Sequence, residues 1–305
     1  MIAGLVPPLT TPLTPNGDLD RASLERLCDV LITAGVDGLF VGGSSGEAAL
    51  LSDGQRYTAI EVAVGISAGQ VPVVAGAIDT GTARVVDHAR AAAQRGATAV
   101  VSTGPFYVSP HPDEVVRHFQ LLSKAVDVPV IAYDIPSATH TRLPFAATVA
   151  LATDGTIAGL KDSSGDLTTF RQVLTATAGT GLAVFTGSET VTDVALRLGA
   201  HGQVPGLANV DPDGYARLGR AAASGDWDAA AAEQERLLRV FGIVDVADRS
   251  RIGFTAGALG AFKAAQYLRG VIDTPRCADP LLPLLETEVD AIRAILVREG
   301  LDVRR

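Results

Sequence analysis

"VPVIAYDIPSATHTRLPFAATVALATDGTIAGLKD", residues 128–162, holds one complete structural unit and the opening of the next. An apolar run, VPVIAYD, gives way to a loop with Pro and Ser, then to a helical pattern over 143–153, then to a second apolar run, IAGLKD. Short β-branched runs bounded by turn residues read as strands buried on both faces. Two parallel strands need a long crossover between them, and the intervening helix supplies it.

The same beat continues in both directions. Upstream lie IAGLVPP with a helix near 20–34, GLFVGG with 52–68, VPVVAGA with 80–95 and TAVVSTG with 113–126. Downstream, IAGLKD is followed by 166–178, AVFTGS by 189–199, and HGQVPG by a further helix. About eight strand–helix units of roughly 25 to 30 residues each predict an α/β fold of the (β/α)8 TIM-barrel type in preference to an open doubly wound sheet. The Ala-, Leu-, Arg- and Glu-rich stretch from about 225 to 300 reads as additional helices. The expected organisation is a barrel catalytic domain over 1–224 with a C-terminal helical extension over 225–305 packed on it.

The chain has 305 residues, 47% of them hydrophobic, enough for one large core. A net charge of -9 and the lack of any basic run oppose binding to a phosphate backbone, so no nucleic-acid partner is expected. The N-terminus lacks the basic region of a secretory signal and no apolar stretch is long enough to span a bilayer, which predicts a cytoplasmic protein with no membrane partner. Cys28 and Cys277 lack metal or redox spacing and read as reduced, buried thiols. The five histidines form no ligand cluster, so no metal is expected.

In a barrel of this kind the chemistry sits at the C-terminal ends of the strands. Those ends carry Ser44, Ser45 and Glu47 after the second strand, Tyr107 after the fourth, Tyr133 and Asp134 at the fifth, Lys161 at the sixth, and Ser188 and Glu189 after the seventh. Lys161 is one of three lysines against twenty-two arginines, so its position asks for an amine and not merely for a charge. An amine in an apolar barrel mouth loses hydration of its charged form, which makes a neutral fraction available to attack a ketone; arginine has no such neutral form. The plain alternative is an ion pair with Asp162 or Glu189. Tyr133 and Tyr107 are candidate proton carriers, with Ser44 able to connect them; each phenol has packing as its alternative. The segment VGGSSGEAAL, residues 41–50, has the look of a tight glycine turn, whose Ser44 and Ser45 hydroxyls and amides around Gly46 suit a small carboxylate. It lacks the lysine of a P-loop and the GxGxxG order of a dinucleotide site.

Taken together, GGSSGEAALL, GPFYVSP, YDIPSATH, GLKDSSGD, TGSE and GQVPGLANVDP resemble the signature blocks of the dihydrodipicolinate synthase and N-acetylneuraminate lyase family, over nearly the whole chain. The resemblance implies a class I pyruvate-dependent aldolase that needs no separate cofactor because the substrate forms a covalent Schiff base, and that is usually a homotetramer built as a dimer of dimers. By position, Lys161 matches the Schiff-base lysine, Tyr133 the proton-transfer tyrosine, and Ser44 with Ser45 the carboxylate-binding pair. Tyr107 matches a tyrosine that reaches across a dimer contact, Val204 a residue whose carbonyl lies near the pyruvyl group, and Gly187 with Glu189 the loop that meets the second substrate.

Three positions depart from the pattern of the lysine-pathway synthases. Ala138 stands where those enzymes carry a carboxylate-binding arginine, His140 where the family commonly has glycine, and Asp134 where asparagine is common. The PSATH block is similar to the form seen in 2-keto-3-deoxygluconate-type aldolases. The expected function is therefore reversible cleavage of a sugar-acid type 2-oxo-4-hydroxy acid into pyruvate and an aldehyde. Dihydrodipicolinate synthase and a dehydratase using the same iminium are the alternatives within the family, and a non-catalytic 2-oxo-acid binding protein is the alternative from another class. Ala48, Asp53, Arg56 and Phe106 occupy the positions of the family's lysine-effector site without its usual histidines and tyrosine, so no feedback inhibition by lysine is expected.

Overall fold

The computed structural model describes residues 2–305. Eight parallel strands, β1 (Gly4–Leu5), β2 (Leu39–Val41), β3 (Val73–Gly76), β4 (Ala99–Thr103), β5 (Val130–Asp134), β6 (Gly159–Asp162), β7 (Ala183–Thr186) and β8 (Gly202–Gln203), lie in the order β1-β8-β7-β6-β5-β4-β3-β2. The chain just after β1 closes the ring. Pro8 bridges Phe40 in parallel, the Leu9 N–H donates to the Phe40 carbonyl at 2.8 Å, and the Phe40 N–H donates to the Pro7 carbonyl at 3.0 Å. The expected TIM barrel is the observed fold.

Helices α1 (Arg21–Thr33), α2 (Asp53–Ser67), α3 (Thr82–Gln94) and α4 (Pro112–Ser123) follow the first four strands. A one-turn helix α5 (Pro136–Thr139) precedes α6 (Phe145–Thr153); α7 (Leu167–Ala176), α8 (Thr192–Arg197) and α9 (Pro212–Ala223) complete the outer layer. Helices α10 (Trp227–Phe241), α11 (Phe254–Leu268) and α12 (Glu286–Arg298) come after it. Several of these begin where a short polar side chain satisfies an otherwise orphaned amide. Asp20, Ser52, Asp166, Asp211 and Asp226 each cap the helix that follows them.

Helix α8 is shorter than the 189–199 segment expected from sequence, because residues 188–191 are drawn into a loop that α10 holds. Gln234 of α10 accepts from the Thr192 N–H at 2.9 Å and donates to the Glu189 carbonyl at 2.8 Å. The segment between α11 and α12 is not helical, and Pro275, Pro280 and Pro283 within it remove three of the donors a helix needs.

Alternation along the strands sorts side chains into two cores. Val6, Phe40, Val74, Val101, Ile131, Tyr133, Phe185 and Val204 fill the barrel interior. Leu39, Val41, Val100, Ala132 and Leu160 face outward into a larger apolar cluster, which includes Leu24 and Phe119 together with Leu237, Leu268 and Ile292 from the C-terminal helices. The same parity turns Lys161 inward beside Tyr133, and Asp134 and Asp162 outward. Among the described residues no helix is long and apolar enough to cross a membrane. Both cysteines are free, and burial pushes each thiol up to about 12, leaving them protonated and unreactive.

Candidate active site

Register places Tyr133 beside Lys161, and Lys161 beside Phe185, on the inner face of the barrel. Lys161 is only 5% exposed. Its Nζ lies 4.1 Å from the centroid of the Tyr133 ring and 5.1 Å from that of Phe40. Among the described residues no carboxylate comes within ion-pair distance of this amine, so the pairing with Asp162 or Glu189 that the sequence left open is not formed. Asp162 faces the other way and accepts the Ser164 N–H at 2.7 Å. Lys161 has exchanged water for two aromatic faces without gaining a counter-ion, an arrangement that suits a nucleophilic amine better than a structural charge.

Lys161 borders a cavity of about 20 Å³ whose other walls are apolar, among them Val6, Val74, Val101, Ile131 and Val204. That is room for about one water. A wider cleft of about 470 Å³ opens among Asp37, His201, Gln203 and Arg220 at the N-terminal ends of β1 and β8, the opposite end from Lys161. Strand polarity assigns chemistry to the Lys161 end.

Gly187 explains how the lysine arm fits. A Cβ there would lie 3.0 Å from Lys161 Cε and 2.1 Å from Ser163 Oγ, so the position has no room for a side chain. Gly46 is similarly confined, since a Cβ would meet the Leu9 carbonyl at 3.0 Å. The carbonyl of Gly46 accepts Thr11 Oγ1 at 2.8 Å, which fixes the turn carrying Ser44 and Ser45.

Across the mouth, the Gly206 N–H donates to Glu189 Oε1 at 2.8 Å. A Cβ on Gly206 would stand 3.1 Å from both Glu189 Oε1 and Ser45 Oγ, so Ser45, Gly206 and Glu189 converge on one spot. Burial pushes the Glu189 carboxyl up, while the Gly206 N–H and the charge of Lys161 pull it down only in part. Val204 is buried in the interior, and its N–H donates to the Thr186 carbonyl at 2.7 Å.

Other expected members of the site are not gathered around the lysine. Tyr107 is 95% exposed and has a left-handed φ of 71°, so within one chain it stands outside the ring of hydroxyls anticipated from the strand ends. Ser44 is exposed and makes no side-chain hydrogen bond to either phenol, so the Tyr133–Ser44–Tyr107 connection is not closed in a single chain. Ala138, on α5, and His140, which ends it with φ 56°, are both exposed. Pro136 starts this helix directly after β5. The guanidinium of Arg142 does not replace the one absent at 138. It is tied to Asp166 at 3.0 Å and lies 3.6 Å from the outward-facing Asp134.

Sequence reasoning missed Phe40, Gly206, Thr11 and Gln234. Phe40 could have been found from the parity of GLFVGG; the others act through contacts between distant segments and leave no local signal.

A barrel with a lysine free of counter-ions on its sixth strand and a tyrosine beside it on the fifth has the architecture of a class I aldolase, and the enzyme is a lyase of that class. The chain belongs to the Dihydrodipicolinate synthetase family, whose family model matches residues 1–299. It is 34% identical over 230 residues to a 4-hydroxy-tetrahydrodipicolinate synthase of Methanosarcina barkeri, covering 75% of this chain and 78% of the relative. It is also 34% identical, over 298 residues, to an uncharacterised DapA-like lyase of Halobacterium salinarum, covering 98% of this chain and 94% of that one.

Among solved structures, YagE of E. coli K12 in complex with pyruvate superposes with a TM-score of 0.91 at 27% identity, covering 99% of this chain and all of the other. Dihydrodipicolinate synthase of Acinetobacter baumannii complexed with pyruvate gives 0.90 at 26% identity, with the same coverage. The family resemblance read from the motifs is therefore correct. The names of the relatives favour the synthase, held above as an alternative, over the sugar-acid aldolase placed first.

Proposed function

We propose that this enzyme makes or breaks a carbon–carbon bond beside a pyruvyl imine on Lys161, with no dissociable cofactor. The observation that supports this most is the lysine itself, buried over the Tyr133 ring without a counter-ion. The neutral amine adds to C2 of the 2-oxo acid, and the carbinolamine loses its hydroxyl as water with a proton from the Tyr133 phenol. The iminium is an electron sink. Loss of a C3 proton gives an enamine that attacks an aldehyde carbon; in reverse, the C3–C4 bond breaks as the C4 hydroxyl loses its proton.

Ser44, Ser45 and the amides around Gly46 would hold the substrate carboxylate, with Val204 and Gly187 lining the pyruvyl pocket. Glu189 faces the second substrate. The exposed Tyr107 fits a residue supplied to a neighbouring subunit, as it would be in the homotetramer, a dimer of dimers, that the family resemblance implies.

For the second substrate, two observations point in different directions. The relatives named as 4-hydroxy-tetrahydrodipicolinate synthases support condensation with aspartate semialdehyde. Ala138, with Arg142 tied down elsewhere, leaves no guanidinium for that aldehyde's carboxylate and supports a hydroxylated partner. Arg56, buried and bonded to the Ile78 carbonyl at 3.1 Å, fills space at the lysine-effector position and supports insensitivity to lysine.

Pyruvate followed by borohydride should inactivate the enzyme and label Lys161, read by peptide mass spectrometry. Labelling chiefly at Lys124 or Lys263 would sink the site, and thermal protection by pyruvate without any adduct would mean a binding protein. A coupled assay comparing aspartate semialdehyde with 2-keto-3-deoxy sugar acids then separates the two aldolase readings, and release of water without an aldehyde identifies a dehydratase.

A further inference from the structure

One pair of buried charges has no part in the chemistry above. Lys263 of α11 is fully buried and Glu47 is 2% exposed. Lys263 Nζ forms an ion pair with Glu47 Oε1 and donates to the Arg276 carbonyl at 2.7 Å. The other oxygen, Glu47 Oε2, accepts the Ala278 N–H at 2.5 Å. A buried pair gives up hydration that its own attraction only partly returns, so stability alone is a poor reason for having one. Its use lies in what it fixes.

Glu47 closes the turn that carries Ser44, Ser45 and Gly46, and its N–H donates to the Ser44 carbonyl at 3.1 Å. It also holds a φ of 59°, uncommon for a residue with a Cβ and kept only where the surroundings impose it. The same helix grips the turn from a second side. Gln266, one turn beyond Lys263, accepts Thr10 Oγ1 at 2.8 Å, and the adjoining Thr11 donates to the Gly46 carbonyl at 2.8 Å.

We infer that Glu47 and Lys263 are positioning residues for the carboxylate of the 2-oxo acid, through which α11 holds the Ser44–Gly46 turn in its binding conformation. This rests on the reading of that turn as the carboxylate cradle. The pair acts through the cradle, not on the reacting carbon, so its loss should weaken substrate binding far more than turnover.

The test is the double variant Glu47→Gln/Lys263→Met, which strands no charge. Its KM for pyruvate should rise at least about tenfold while kcat changes by less than about threefold, and saturating pyruvate with borohydride should still label Lys161. An unchanged KM, or a loss confined to kcat, overturns the proposal. Arg251→Met/Glu288→Gln is the control, because that 2.7 Å pair joins the segment before α11 to α12 away from the turn. It should lower Tm and leave KM in place; an equal rise in KM would mean general loosening and overturn the proposal. If the double variant does not fold, Glu47→Asp keeps both charges and tolerates the positive φ but shortens the arm by one methylene. The same selective rise in KM is expected, and an unchanged KM overturns the positioning role. Wild-type enzyme that forms no pyruvate adduct would instead overturn the Schiff-base reading on which the inference stands.

Discussion

Lys161, at the end of β6, and Lys263, inside α11, are the same side chain in two kinds of burial. Lys263 has a carboxylate and a carbonyl on its side-chain nitrogen, so its position is held. Lys161 has aromatic faces and an apolar cavity, and among the described residues no carboxylate within ion-pair distance. Burial by itself therefore does not make a lysine reactive. The absence of a carboxylate within ion-pair distance, at the C-terminal end of a strand, separates the proposed nucleophile from the strut.

The largest effect that would sharpen this contrast is on Lys161. Lys161→Arg should keep the fold, since a cation still faces the two rings, yet lower turnover by about 10⁴-fold or more because no neutral amine remains. Appreciable residual activity, measured after removing contaminating wild type, would break the distinction.

Next comes Tyr133→Phe, which keeps the ring under the amine and removes only the phenol. A loss of roughly 10²- to 10⁴-fold in kcat with little change in Tm marks a lost acid–base group. Near-normal turnover would make Tyr133 a packing residue.

Lys263→Met gives the opposite signature. It leaves Glu47 buried without its partner, and denaturant unfolding should show a loss of about 3–5 kcal/mol. An unaltered midpoint would show that the pair is not a strut.

The smallest effect concerns Glu189. Burial raises its carboxyl in the folded state, so that state favours the protonated form. This contribution is full below the ordinary carboxylate range and is lost as pH rises through the raised value. Glu189→Gln removes the loss, so the variant's Tm relative to wild type should increase from acid toward neutral pH, by on the order of 1 °C. A constant difference across that range would mean that the carboxyl does not titrate differently on folding.

The barrel was legible because each strand is an apolar run that must be covered on both faces, and the 3.6-residue pattern between runs leaves only a crossover helix to cover it. VPVIAYD and IAGLKD were found in this way, and Lys161 and Tyr133 followed from their places at the strand ends. Tyr107 was assigned to the same ring by the same rule, and within one chain it stands exposed, as a residue reaching across a subunit contact would. The rule fixes which loop a residue belongs to but not the path that loop takes, and at 107 the backbone adopts a positive φ that no local period announces. The one-turn helix that carries Ala138 and ends at His140 was not legible either, because it is set by packing and not by a period long enough to read.

By itself the sequence determined the strand count, the strand ends that carry the candidate residues, and the scarcity of lysine that singled out Lys161, because periodicity and composition are local properties of the chain. Only the tertiary structure decided which lysine is paired. Glu47 and Lys263 are 216 residues apart and Thr10 and Gln266 are 256 apart, and no local pattern encodes such a contact. Their meeting follows from α11 packing against the barrel's first two loops, and that packing distinguishes the paired lysine from the unpaired one.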